Sequence, residues 1–177
     1  IIIFCLLSLS FLAGKPLADW PQFRGPNGNG YIGKLNHPIE WSKKKNLSWS
    51  ESIPGGGWSS PIVVGDRVFL TTAVDSNNTK PLDHAGGVRN MRGKKASEPF
   101  AFKVICISLI DGSVQWGKDI AVETPKFPIH ASNTYATESP VTDGKYLYCY
   151  FAAIGRVVAL DMDGKLNWSV YVGAFPG

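Results

Sequence analysis

The chain lacks the residue patterns of a metal site or of a catalytic centre. Among 177 residues there are only three cysteines and three histidines. No Cys-x-x-Cys pair, histidine-rich run or carboxylate cluster has metal-ligand spacing. No Ser/His/Asp or paired-carboxylate arrangement stands out, and Asp66, Asp143 and Asp163 are explained as turn formers beside glycine. The sequence therefore offers no candidate catalytic, cofactor-binding or metal-ligating residue.

Long amphipathic helices are also missing from the sequence. Its apolar runs are short, rich in Val, Ile, Tyr and Phe, and bounded by Gly, Asp and Asn, which is typical of strands. The charge is mildly basic, with 18 Lys and Arg against 14 Asp and Glu. Without a recognition helix or an aromatic-basic platform, nucleic acid is excluded as a partner. The sequence predicts an all-β protein.

Two stretches of the chain repeat one pattern. In each, a Ser-Pro pair precedes a turn glycine at one fixed spacing, and an Asp-Gly pair precedes a tryptophan at another. The repeated residues are Ser60, Gly65, Gly112 and Trp116 in the first copy and Ser139, Gly144, Gly164 and Trp168 in the second. Such repetition indicates structural units that stack on one another and share a core.

Each copy divides into four short strands. The Ser-Pro pair opens the first strand, and the tryptophan lies in the fourth. Asp-Gly pairs predict tight turns before the fourth strand, because glycine tolerates positive φ. The second to fourth strands are predicted at 67–73, 103–109 and 113–120, and again at 146–152, 156–160 and 165–172. Four-stranded antiparallel sheets in series are the blades of a β-propeller, which is the predicted fold.

The second copy resembles a known repeat. Ala159-Leu160-Asp161, followed by Gly164 and Trp168, resembles the A-L-D…G-x-x-x-W signature of pyrroloquinoline-quinone (PQQ) repeats. The first copy is a weaker match, with Cys106-Ile107-Ser108 in the place of Ala-Leu-Asp. The resemblance implies that Trp116 and Trp168 occupy equivalent buried positions, where each packs against the neighbouring blade.

The opening of the chain extends this resemblance. Residues 19–28, with Asn46 to Trp49 downstream, resemble secreted bacterial PQQ-like propellers. Those proteins are often called BamB-like, after the propeller lipoprotein of the outer-membrane β-barrel assembly machinery. Propellers host many unrelated activities, so the resemblance indicates a fold more than a function.

Residues 1–18 predict a secretion signal that has lost its basic start. They begin with an uncharged apolar run that is too short to span a bilayer and end in small residues. The alternative is a buried N-terminal strand. A secretion signal places the protein in the periplasm or outside the cell.

The rest of the chain is predicted to contain two blades. The boundaries are a lead segment at 19–58 with a closing strand at 46–53, a blade at 59–120 with a polar insertion at 75–100, an inter-blade loop at 121–136, a second blade at 137–172, and the start of a further blade at 173–177. Two blades cannot close a ring of about four to eight. We therefore expect the chain to be the N-terminal part of a longer protein.

Two cysteines lie in predicted strands. Cys106 and Cys149 would form a disulfide in an oxidising compartment if their geometry allowed it. The alternative is that both are small buried apolar residues, as cysteines in apolar strands usually are. The sequence leaves both possibilities open and favours the second.

The long connections are predicted to lie at one end of the blades. The turns at the opposite end are minimal, whereas 75–100 and 121–136 are long, and long loops are usually either functional or disordered. We name the end formed by these two connections the loop face. Candidate binding residues there are Trp58, Arg89, Arg92, Phe127, His130, Asn133 and Tyr135, with Lys94 and Lys95 extending the basic cluster.

These candidates have structural alternatives. His130 alone is typical of a loop or rim histidine, and Asn133 and Tyr135 would fix the loop through hydrogen bonds to backbone. Trp58 would pack between blades. The basic cluster, like Lys43 to Lys45, is either solvated loop charge or a patch for acidic partners.

Two classes of function follow. The first is a non-catalytic exported propeller that binds a protein or an extracellular polymer, with membrane association only through that partner. The second is a PQQ-dependent dehydrogenase. The resemblance implies that such an enzyme would hold PQQ between a Trp and a pair of adjacent cysteines, and that carboxylate and amide oxygens would bind Ca²⁺. The chain has no adjacent cysteines. We therefore favour the binding propeller and expect no cofactor on these residues.

Overall fold

The fold is all-β, and the residues that the structure describes form two antiparallel sheets of four strands each. The computed structural model describes residues 19–31, 33, 38–77, 96–130 and 133–175. The predicted secretion signal at 1–18 and the basic cluster from Arg89 to Lys95 lie outside the described residues.

The strands follow one another in space in the order of the chain. Sheet 1 consists of β1 (Ile62–Val64), β2 (Arg67–Asp75), β3 (Phe100–Ser108) and β4 (Val114–Glu123). Sheet 2 consists of β5 (Val141–Thr142), β6 (Tyr146–Phe151), β7 (Arg156–Asp161) and β8 (Leu166–Tyr171), with a 3₁₀ turn at Ala152–Ile154. These bounds confirm the two predicted sets of four strands to within a few residues at each end.

The two sheets are equivalent residue by residue. In sheet 1 one row of paired residues is Ile62, Phe69, Cys106 and Trp116. The matching row in sheet 2 is Val141, Tyr148, Ala159 and Trp168. Both sheets have an irregularity in register beside the tryptophan, after Cys106 and after Ala159. A bulge there adds one residue and re-aims the tryptophan-bearing strand.

The main core joins the two sheets. Sheet 1 contributes Ile62, Phe69, Phe102 and Val104, and sheet 2 contributes Leu147, Phe151, Val158 and Leu160. The rings of Phe102 and Phe151 meet edge to face, with centroids 5.6 Å apart. Each fully buried aliphatic or aromatic side chain stabilises the fold by about 1.5–3 kcal/mol. The two units therefore hold each other through one shared core.

The lead segment covers the other face of sheet 1. Trp49 and Ile53 pack against Val68, Ile105 and Ile107 on that face. The predicted closing strand at 46–53 is not among the strands of the described residues. A strand needs a hydrogen-bonding neighbour, and this segment makes its contacts with the sheet through side chains instead.

Residues 20–21 join the first strands of both sheets. The backbone of Trp20 exchanges hydrogen bonds with that of Val63, at 2.7 and 2.9 Å. The next residue, Pro21, accepts a hydrogen bond from Thr142 N at 3.0 Å. The edges of β1 and β5 are thus tied by one strip of backbone.

The triple glycine at 55–57 is explained by close backbone approach. Gly56 forms an isolated antiparallel bridge with Ala73 of β2. A Cβ added at Gly57 would lie 2.3 Å from the carbonyl oxygen of Thr71, which is too close for any side chain. The run is therefore not a phosphate-binding loop: it presses one strip of backbone against a strand edge.

We predict that Gly57→Ala destabilises the protein, because its methyl group collides with backbone that cannot move aside. The expected loss is about 1–3 kcal/mol, the usual cost of overpacking. Gly117→Ala is the matched control, because a Cβ at Gly117 meets nothing within 4 Å. Urea unfolding midpoints measure both variants. Equal midpoints for the two would contradict the close approach.

Candidate functional site

A tryptophan of sheet 1 packs on a turn of sheet 2. A Cβ added at Gly164 would lie 2.9 Å from Cε3 of Trp116, so the indole covers this turn directly. Nε1 of Trp116 donates a hydrogen bond to the carbonyl of Met162 at 3.3 Å. Arg67 donates to the same carbonyl at 2.8 Å and pairs with Asp163 at 3.0 Å. The contact combines packing with hydrogen bonds at the seam.

Trp49 of the lead segment makes the same contact with sheet 1. A Cβ added at Gly112 would lie 2.6 Å from Cε3 of Trp49. Nε1 of Trp49 donates to the carbonyl of Leu109 at 2.9 Å. Leu109 and Met162 are equivalent, since each follows the last residue of the third strand of its sheet. The similarity of 47–49, Leu-Ser-Trp, to 166–168, Leu-Asn-Trp, is the sequence signal for this repeated role.

Trp168 has the equivalent position on β8 but is 40% exposed. Its described ring contact is with Tyr148 of its own sheet, at 6.2 Å between centroids. The expectation that both tryptophans are buried is therefore wrong for Trp168, and Trp116 is only partly buried. The physical reason is that no further sheet covers this face within the described residues.

We predict that Gly164→Ala destabilises the protein more than Gly144→Ala. Both glycines have positive φ, at 82° and 89°, so a side chain would cause similar backbone strain at either position. Only Gly164 also faces an indole; nothing lies within 4 Å of a Cβ at Gly144. The difference in unfolding free energy, of about 1–3 kcal/mol, measures the Trp116 contact. Equal losses would show that the contact contributes nothing.

The two ends of the sheets differ as expected. At one end the tight turns contact each other, and Leu109 N donates to Asp66 O at 2.7 Å. At the other, Ser76 N donates to Pro99 O at 3.2 Å and closes the neck of the 75–100 insertion. Lys126 N donates to Ala153 O at 3.1 Å, which ties the 121–136 connection to the same end of sheet 2.

Asn133 and Tyr135 hold the loop face together. Oδ1 of Asn133 accepts hydrogen bonds from Thr134 N at 2.8 Å and from Thr137 Oγ1 at 2.6 Å. Tyr135 is 8% exposed, and its hydroxyl accepts a hydrogen bond from Ala96 N at 3.2 Å. Burial raises the pKa of this hydroxyl. Asn133 and Tyr135 therefore fix the loop through hydrogen bonds, which is the structural alternative to a direct role in binding.

The other candidates lie nearer the solvent. Trp58 is 47% exposed and Phe127 is 38% exposed, and His130 is exposed as well. The backbone of Trp58 donates to Ala136 O at 3.0 Å, which fixes this residue to the 121–136 connection. In the separate basic run of the lead segment, Lys45 is paired with Glu40.

A cavity of about 150 Å³ opens between the residues of the loop face. Two of the candidate binding residues from the sequence, Asn133 and Tyr135, line it. The residues that the sequence did not single out are Gly55, Gly56, Ala73, Asp75, Phe100, Ile129 and Thr134. No local pattern marks them, because the lining comes from four distant stretches of the chain.

A carboxylate at the seam between the sheets is partly buried. Oε2 of Glu138 has no hydrogen-bond partner among the described residues. Desolvation raises the pKa of Glu138 above its ordinary value of 4.5, against the opposing effect of nearby backbone N–H groups. Its backbone carbonyl accepts a hydrogen bond from Thr71 Oγ1 of sheet 1 at 3.2 Å. Glu138 is thus held at the seam by its backbone while its side chain is poorly solvated.

We predict that Glu138→Gln stabilises the protein at pH 7 and that the gain falls as the pH approaches 4. The pKa of Glu138 is higher in the folded state than in the unfolded chain, so its carboxyl contributes to the free energy of unfolding below pH 4.5. This contribution is lost as the pH rises through the pKa of the folded state. Glu123→Gln is the control and should lower the melting temperature, because Glu123 pairs with Arg156 at 2.6 Å. Thermal melts from pH 4 to pH 8 test both; a gain independent of pH would contradict the assignment.

The strand cysteines are free and buried. Burial raises the pKa of Cys106 to about 11 and that of Cys149 to about 12. Both thiols are therefore protonated at neutral pH and are poor nucleophiles. This agrees with the interpretation of both as buried apolar residues.

Over the ranges that the structure describes, no three His, Cys, Asp or Glu side chains form a group suited to a metal ion. In the same ranges no helix is long and apolar enough to cross a membrane. No protein-family model matches the chain, and no curated protein matches it significantly.

Proposed function

We propose that the two sheets are consecutive blades of a β-propeller of the PQQ-like type. The packing step is repeated: Trp49 covers the turn of sheet 1, and Trp116 covers the turn of sheet 2. Trp168 is in position to cover the turn of a third sheet. Units related by one repeated step along a stack are what a propeller requires.

The exposed face of sheet 2 supports the same proposal. In sheet 1, Ile62 and Phe69 of the row that ends at Trp116 are 0% exposed. In the equivalent row of sheet 2, Val141 is 39% exposed and Tyr148 is partly exposed, while Ala159 is buried. The apolar pattern is the same in both rows, so this face fits another sheet of the same kind.

We infer further that the protein is a non-catalytic exported module that binds a protein partner through the loop face. The observation that carries this inference is the asymmetry between the two ends. The turn end consists of short turns, and a backbone hydrogen bond from Leu109 to Asp66 joins two of them. The loop face combines two long connections, exposed aromatic side chains and a cavity. Binding residues concentrate on loops that a rigid scaffold positions, and the buried Tyr135 and the hydrogen-bonded Asn133 supply that rigidity.

Site-specific photo-crosslinking tests this function in producing cells. Benzoylphenylalanine in place of Phe127 should give a discrete crosslinked species, because Phe127 is exposed on the loop face. The same group in place of Ile110 is the matched control, because Ile110 is 73% exposed at the turn end. A product at both positions, or at Ile110 alone, would contradict a binding role for the loop face.

A second assay separates the binding module from a dehydrogenase. The purified protein is incubated with PQQ and Ca²⁺, and dye reduction is measured with an alcohol or aldose substrate. The proposed function predicts no reduction above the level of free cofactor. Cofactor-dependent reduction would replace the binding role with quinoprotein chemistry.

A further inference from the structure

The cavity of the loop face is the size of one side chain. Its volume of about 150 Å³ is well below the roughly 300–1,000 Å³ of sites for drug-sized molecules. Phe100, Ile129 and Tyr135 give it apolar walls. Phe100 and Tyr135 pack edge to face, with centroids 5.0 Å apart. The walls therefore suit an alkyl chain or a small planar group.

A carboxylate lies toward the outer end of this cavity. Ala73 and Asp75 are on the same face of β2, because side chains alternate along a strand. Ala73 is 2% exposed, whereas Asp75 is the last residue of the strand and is partly exposed. At about 3.3 Å per residue, Asp75 lies roughly 7 Å nearer the loop end than Ala73.

The carboxylate and an aromatic ring are directly opposed on the adjacent strands β2 and β3. Asp75 pairs in register with Phe100. Directly opposed residues of antiparallel strands have Cβ atoms about 4.5–5.5 Å apart. A group in the cavity can therefore contact both side chains.

Among the described residues that line the cavity, Asp75 is the only charged one. Its Oδ1 accepts a hydrogen bond from Asn77 N at 2.8 Å. Within the described ranges Asp75 forms no ion pair. The cavity thus has apolar walls and one negative charge, although the chain as a whole carries a net charge of +4.

We propose that this cavity binds the side chain of a lysine or arginine of the protein partner. The alkyl stem packs against Ile129 and the aromatic walls, and the cationic head binds the Asp75 carboxylate beside the ring of Phe100. Long basic side chains bury their stems on apolar surface in this way, and aromatic rings add cation–π attraction. This inference rests on the proposed binding role of the loop face.

Small probes test the cavity without the partner. The purified full chain is titrated with n-butylguanidinium, n-butylammonium and the neutral n-butylurea, and the NMR signal of the Ala73 methyl group is followed. Both cations should give saturable shifts, and n-butylurea should bind at least about tenfold more weakly. Equal affinity for n-butylurea, or no saturable shift with either cation, would overturn the proposal.

Variants assign the charge to one residue. Asp75→Asn should lower the affinity for both cations by about tenfold while retaining the hydrogen bond from Asn77 N. Asp66→Asn, at the turn end, is the matched control and should leave the affinities unchanged. Equal affinities in Asp75→Asn and the unmodified protein would refute the role of Asp75.

The two experiments on the loop face fail separately. Crosslinking at Phe127 without binding of either cation overturns the assignment of the cavity and leaves the binding role in place. Cation binding without crosslinking at Phe127 overturns the proposed protein-binding role of the loop face. It still supports the proposal that the cavity binds a cationic group.

Discussion

The structure depends on an indole ring that packs flat on a glycine turn of the next unit. The contact is possible only because the turn residue has no Cβ. Gly164 meets this condition under Trp116, and Gly112 meets it under Trp49. The same glycines have φ of 82° and 77°, so one residue type satisfies both the turn and the packing. The Asp-Gly pair and the tryptophan are therefore two halves of one interaction.

This interaction gives each unit two different faces. One presents a tryptophan and the other presents a turn, so the two faces of a unit make different contacts. The shared core around Phe102 and Phe151 follows the same logic, because one face of each sheet is buried against the other sheet. Such one-directional stacking explains why Ile62 is 0% exposed whereas the equivalent Val141 is 39% exposed.

Local features of the sequence predicted most of the strands and turns. The strands are short runs of β-forming residues, and the turns need glycine at positive φ; both are properties of neighbouring residues. The closing strand at 46–53 was different, because strand pairing needs a neighbour that the local pattern does not show. The burial of Tyr135 and the partial burial of Glu138 also depend on sheet 1, which lies far away in the chain. Single residues of the loop face were recognised, but the cavity was not, since its lining comes from four distant stretches.

Hydrogen exchange of the indole N–H groups, measured by NMR with each tryptophan assigned, tests the repeated docking most directly. The Nε1–H groups of Trp49 and Trp116 donate to the carbonyls of Leu109 and Met162 at the seams. Both should exchange slowly, whereas the exposed Trp168 should exchange rapidly. Rapid exchange at Trp49, or protection of Trp168 equal to that of Trp116 in the monomer, would contradict a single packing step used in succession.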